Sequence, residues 1–231
     1  MPIVDLRSFE ATAHPWDVLF QLGFTQPKYV DHLGLFSDDE ACVGVTSKRY
    51  LAMAHVQPCF TESHESSHFL GKAELSQEEC EDVATFVEGV RNEKDGLRKL
   101  AKLIGEENAR NRLFRLYPCY SIATDDFAFR RFSCVGLVIM AYDAIDITLL
   151  ASRLPEIIYD DLLKVESDDL SRIRDATTRQ YLGVIDDGPM EFVFPGYVLH
   201  AMDRSTGEIR DTPYSPRRGD EFYPSEANTT A

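Results

Sequence analysis

The sequence predicts an α+β fold in which a small antiparallel sheet packs against a central helix, with additional helices around them. Three observations carry that prediction. Strand-like segments rich in β-branched and aromatic residues cluster between Lys28 and Val56; a run from Cys134 to Ile145 is apolar nearly all round; and several segments carry a helix-start or helix-stop signal. At 231 residues and 44% hydrophobic content the chain can bury a proper core.

In chain order, "KYVDHLGLFS" and "ACVGVTS", separated by "DDE", read as two strands and "RYLAMAHV" as a third, together one small antiparallel sheet. Ser76 followed by Glu79 is a capping-box pattern, with Val83, Phe86, Val87 and Val90 at helical spacing behind it, which predicts a helix from about Gln77 to Arg91. Leu97, Leu100, Ala101 and Ile104 share one face of a second helix that Gly105 stops. The Cys134 segment is the third. "PEIIYDDLLKV", with Pro155 in its first turn, and "SDDLSRIRDATTRQYLG", capped by Ser167, are also expected to be helical. "EFVFPGYVLHAM" reads as a strand interrupted by Pro195-Gly196. From Ser205 the aliphatic residues almost vanish, so the expected organisation is a single domain over 1–204 and an extended or disordered tail over 205–231.

Charge and motifs exclude several classes of function. A net charge of -15, from 24 basic and 39 acidic residues with no long basic run, repels a phosphate backbone, so no nucleic acid partner is expected. No segment reaches the length of a membrane span, and the N-terminal stretch has Asp5 and Glu10 where a signal peptide has its apolar region; the expected location is the cytoplasm. Five cysteines without a C-x-x-C pair point to reduced thiols. Without a Gly-rich phosphate loop, G-x-S-x-G or H-E-x-x-H, no cofactor is expected.

The chemistry is sought at Cys134. With Ser133 as N-cap, a thiol in the first helical turn faces unpaired backbone N–H groups and the positive end of the helix dipole, which lowers its pKa, and Arg130 and Arg131 add to the effect. A cysteine nucleophile also needs a base within hydrogen-bond reach. On a strand through "YVDHLGLFS", His32 shares a face with Val30, Gly34 and Phe36, and Gly34 leaves room beside the imidazole.

The run Cys134-Val135-Gly136-Leu137-Val138 with Tyr142 resembles the nucleophile helix of the NlpC-like papain-fold cysteine hydrolases, departing at Val135 and Ser133. His32-Leu33-Gly34-Leu35-Phe36 resembles that family's histidine strand, His-Val-Gly-Ile-Tyr. Because His32 precedes Cys134, the order is similar to the circularly permuted branch that includes lecithin retinol acyltransferase-like proteins. The resemblance spans about Tyr29 to Leu150 and implies a papain-like fold of the permuted NlpC type. It also implies thiol-dependent hydrolysis or acyl transfer on a small-molecule, lipid or peptide acyl substrate. Its orienting residue comes from the strand after the histidine strand, which implies His55, with Glu40 and Gln57 as alternatives; Tyr29 is a further candidate donor.

A rival pattern is His55, Cys59, His64 and His68, all zinc-binding residue types, although joint ligation by His64 and His68 requires a helical segment. That pattern belongs to the alternative function, a non-catalytic binding or scaffold protein on the same frame; the expectation is a polar loop without a metal.

Overall fold

Strand pairing brings the first third of the chain into one sheet. The computed structural model describes residues 3–5, 14–22, 29–36, 50–52, 57–58, 67–89, 113–116, 119–123, 128–132, 134–158 and 189–222. Its elements are β1 (Ile3–Asp5), β2 (Val18–Leu22), β3 (Val30–Phe36), β4 (Tyr50–Ala52), β5 (Gln57–Pro58) and β6 (Ser67–Gly71), then helix α1 (77–89). There follow β7 (Leu113–Leu116), β8 (Cys119–Ala123), β9 (Ala128–Phe132), α2 (Cys134–Asp143), β10 (Glu156–Ile157), β11 (Met190–Glu191), α3 (Pro195–Met202) and α4 (Thr206–Asp211). The fold class is α+β.

The main sheet has six strands in the order β1-β6-β2-β3-β4-β5, every neighbouring pair antiparallel. Alternation explains how it is covered. Val18 and Phe20 of β2 and Leu33 and Leu35 of β3 are fully buried in the same core as α2 and α3, while Leu19 and Leu70, at alternate positions, are buried outside that cluster. A side-chain period of two makes both faces apolar here. Gly71 lies where a Cβ would meet Cβ of Met202 at 2.9 Å, so glycine lets α3 approach β6 closely.

Helix α2 is apolar on all sides: Val135, Leu137, Val138, Ile139, Ala141 and Tyr142 are buried, as the sequence led one to expect of a central helix. It packs against β3 and α3. It ends in a turn where Ala144 N–H donates to Met140 O and Asp146 takes a left-handed φ of 59°. Helix α1 starts as its capping box predicts: Ser76 N–H donates to Glu79 Oε2 at 2.7 Å and Glu79 N–H to Ser76 Oγ at 3.3 Å.

Three expectations are corrected. "PEIIYDDLLKV" is not helical at its start: Glu156 and Ile157 pair antiparallel with Glu191 and Met190, and Leu154 N–H donates to Glu191 Oε1 at 3.3 Å. The partner strand is more than thirty residues away, beyond any local signal. "EFVFPGYVLHAM" is strand only to Glu191; from Pro195 it is α3, with Pro195 in the first turn, where its missing N–H costs nothing. The run is apolar almost throughout, so periodicity could not separate the two states.

The stretch after Ser205 is folded over 205–222. Helix α4 opens with its own capping box, Glu208 N–H to Ser205 Oγ and Ser205 N–H to Glu208 Oε2 at 3.0 Å, and buries Ile209. Tyr214 then bridges Leu150 and Phe222 bridges Tyr29. One aliphatic residue in six hides such a helix from a composition argument, because tertiary docking rather than a hydrophobic stripe stabilises it.

Of the three early strands expected, β3 is present, and among the described residues of the third β4 covers Tyr50–Ala52. "ACVGVTS", the helix from Lys94 and the helix from Ser167 lie outside the described residues. Strands β1, β2 and β6 and the three-stranded antiparallel sheet β7-β8-β9 were not anticipated.

Candidate functional site

The structure brings together the two elements that carry the candidate nucleophile and base. Cys134 is the first residue of α2, and α2 packs on β3, the strand of His32. A shared anchor ties one end of each element to the other. Tyr142 Oη donates to Trp16 O at 3.2 Å, and Trp16 N–H donates to Phe36 O at 2.8 Å, so the end of α2 is tied to the end of β3. From that anchor Cys134 is about 12 Å back along the helix, and His32 about 13 Å back along the strand.

The register around His32 departs from simple alternation. His32 pairs with Gln21, but the next pair is Leu22 with Val30, so β3 carries one extra residue, a bulge at Asp31. Val30 is consequently buried in the same core as Leu33 and Leu35, and the expected face of Val30, His32, Gly34 and Phe36 is broken at its first member. From His32 onward the alternation is regular: His32 holds the register positions of Gly34 and Phe36, alternate to the core positions of Leu33 and Leu35.

Gln21 is the position that sequence reasoning missed. It pairs with His32 on one side and with His68 on the other, forming a row His32–Gln21–His68 across three strands. Only strand pairing could reveal it, since these residues are far apart in sequence. His55, Glu40, Cys59 and His64 lie outside the described residues, and Gln57 pairs with Ala52. His68 belongs to β6, so the helical spacing that joint ligation with His64 requires is absent from Ser67 onward. Among the described residues no group of three or more His, Cys, Asp or Glu is placed to hold a metal ion.

Tyr29, at the entry to β3, is buried edge-on between Phe194 (centroids 6.5 Å) and Phe222 (6.2 Å). His200 is tied into α3 and the C-terminal segment: Nε2 lies 3.0 Å from Phe222 O and the ring stacks on Tyr214. Cys80 is a half-buried thiol whose pKa is raised, first by burial and then by the nearby charges of Glu79, Asp17 and Glu81, the reverse of what a nucleophile needs.

Two carboxyl groups near the Tyr142 end of α2 are shifted in opposite directions. Asp17 is the buried charged residue of the described core, and burial pushes its carboxyl up to about 6, against the lowering effects of the His14 N–H bond (2.9 Å) and the charges of Lys72 and His14. Glu79 is pulled down to about 2, chiefly by Arg210, which pairs with it through Nη1–Oε1 at 2.6 Å and Nη2–Oε2 at 2.9 Å. This fork fastens α4 to α1. A depressed carboxyl stabilises the fold above its unfolded value of about 4.5 and loses that contribution as the pH falls toward 2. Arg210→Gln is therefore expected to lower Tm at pH 7 and much less at pH 2.5, and to raise the Glu79 titration midpoint followed by carboxyl NMR. An equal loss at both pH values would show that the guanidinium acts by packing alone.

No protein-family model, no curated protein and no solved structure matches this chain.

Proposed function

We propose that the protein is a thiol-dependent hydrolase or acyltransferase with a papain-like frame of the permuted NlpC type, acting on an amide, ester or thioester. The observation that carries the reading is the packing of the helix that begins at Cys134 on the strand that holds His32, although His32 holds a register position alternate to Leu33 and Leu35, the residues of that strand that share a core with the helix. The common Tyr142–Trp16–Phe36 anchor supports it by joining the end of the Cys134 helix to the end of the His32 strand.

In this reading His32 takes the Cys134 proton and the thiolate sulfur attacks the carbonyl carbon. The oxyanion forms against backbone N–H groups at the start of α2, Cys134 among them. Collapse expels the leaving group, which receives the proton from His32, and leaves a thioester on Cys134. Water, or an acceptor hydroxyl or amine, then attacks that thioester and regenerates the thiol. His55 orients the imidazole; Gln21, opposite His32 in register, is the alternative for that role.

The test is pH-dependent iodoacetamide labelling of the native protein, with each cysteine assigned by mass spectrometry. Cys134 is expected to react selectively near neutral pH, and His32→Ala to slow it roughly tenfold or more at pH 7, the change in thiolate fraction between a depressed and an ordinary thiol. Uniformly slow labelling of all five cysteines would remove the acyl-enzyme mechanism and leave the scaffold reading. Between the orienting residues, the variant that shifts the pH profile of labelling, His55→Ala or Gln21→Ala, identifies the partner of His32.

A further inference from the structure

The three-stranded sheet that leads into α2 gathers arginines. Pairing of β7 with β8 puts Arg115 opposite Tyr120, and pairing of β8 with β9 puts Arg131 opposite Tyr120. Residues directly opposed in an antiparallel ladder share a face with their Cβ atoms about 5 Å apart, so Arg115, Tyr120 and Arg131 form one row. The two arginine positions are about 10 Å apart across two strand spacings. The strands themselves, "LFRL", "CYSIA" and "AFRRF", contain no acidic residue, in a chain whose net charge is -15. The row lies at the end of the sheet from which the chain passes to Cys134, three residues after Arg131. At the other end the paired strands stop at Ala123 and Ala128, about 10 Å along the ladder from the row.

We infer that the row Arg115–Tyr120–Arg131 is a subsite for a small oxyanion group, carboxylate or phosphate, carried by the acyl substrate that Cys134 attacks. The chemistry is that of two guanidinium forks and a phenol, all donors, matched to an anion with several acceptor oxygens. An acidic protein repels anionic substrates at long range, so a local basic row is what admits one. A purely structural row, held by cross-strand cation–π contact, would affect stability and leave anions indifferent. The inference names the substrate class of the proposed reaction and rests on that reading for its position beside a nucleophile.

The experiment compares two alkylating agents on the native protein, anionic iodoacetate and neutral iodoacetamide. With an oxyanion subsite beside the thiol, the iodoacetate-to-iodoacetamide rate ratio at Cys134 exceeds that of N-acetylcysteine amide. It falls in Arg115→Gln and in Arg131→Gln, while Arg130→Gln, at the alternate register position of β9, leaves it higher than either. Inorganic phosphate or glutarate competes with iodoacetate and not with iodoacetamide, and the stronger competitor identifies the group as phosphate or carboxylate. A ratio equal to that of the free thiol, insensitive to both substitutions and to both anions, overturns the subsite. If Cys134 resists both reagents, the acyl-enzyme reading falls, and with it the substrate role. Phenylglyoxal modification of the unsubstituted protein then decides the row: protection of Arg115 and Arg131 by phosphate or glutarate keeps an anion site, and equal modification with and without them removes it.

Discussion

Asp17→Asn is expected to stabilise the protein at pH 7.5 by about 3 kcal/mol and to have little effect at pH 3.5. The carboxyl is buried at the entry to β2, and its pKa rises from 3.8 in the unfolded chain to about 6 in the fold. The folded state therefore binds more protons than the unfolded state between those two values. Stability contributed by the protonated acid is fully present below about pH 4, declines as the pH rises, and is gone above about 6. The difference between those two values corresponds to about 3 kcal/mol. For a chain of this length that is a Tm difference of about 6–12 °C.

Asparagine keeps the acceptor oxygen for the His14 N–H, a 2.9 Å bond in the native protein, and carries no charge to desolvate. The measurement is thermal unfolding of both proteins from pH 3.5 to 7.5. Parallel curves would show that Asp17 is solvated enough to ionise without cost, and the burial argument would be wrong. Trp16, beside it, holds a φ of 70°, a left-handed conformation uncommon for an aromatic residue. A buried acid and a strained neighbour at one strand entry mark a place where the sequence is not optimised for stability.

Gly196→Ala is the second large effect. Glycine here is imposed by close approach: a Cβ at this position in α3 would sit 2.5 Å from the carbonyl carbon and oxygen of Glu221 and against the carbonyl oxygen of Asp220, all backbone atoms that no rotamer change can move. Relief requires the segment 217–222 to leave α3. That segment is a built turn, with Asp220 Oδ2 accepting from Tyr214 Oη and from Arg217 N–H, both at 2.7 Å, and Gly219 at a φ of 101°. Undocking it loses the Phe222–Tyr29 bridge and the His200–Phe222 hydrogen bond.

The cost is the smaller of overpacking and undocking, about 2–3 kcal/mol, read as a lower Tm and faster exchange of the Phe222 amide. Gly207→Ala is the control: nothing lies within 4 Å of its would-be Cβ in α4, and alanine gains helix propensity there. A Gly196→Ala protein that melts with the native one would mean that the C-terminal segment does not pack against α3.

Legibility in the sequence followed the range of the interaction. Helix α1 was readable because Ser76, Glu79, Val83 and Val87 are all within three turns of one another, and α2 because an apolar run of that length has no other stable place than a core. The same capping-box pattern stands at Ser205 and Glu208, but it does not predict a helix by itself, because a polar six-residue helix owes its existence to Ile209 docking and to the Arg210–Glu79 fork. For the candidate site, Cys134 at a helix start and His32 on a strand were legible, and both elements are where the sequence put them.

By itself the chain determined its local elements, the α+β class and the reasons to look at Cys134 and His32. Tertiary structure decided everything that depends on which strand lies beside which: the bulge at Asp31, the row His32–Gln21–His68, the arginine row before α2, the β10–β11 pair and the folding of 205–222 onto the domain. The physical reason is that caps and periodicity act within a few residues, whereas a strand's partner and register are chosen by burial across the whole sheet, and that free energy is not written in any one segment.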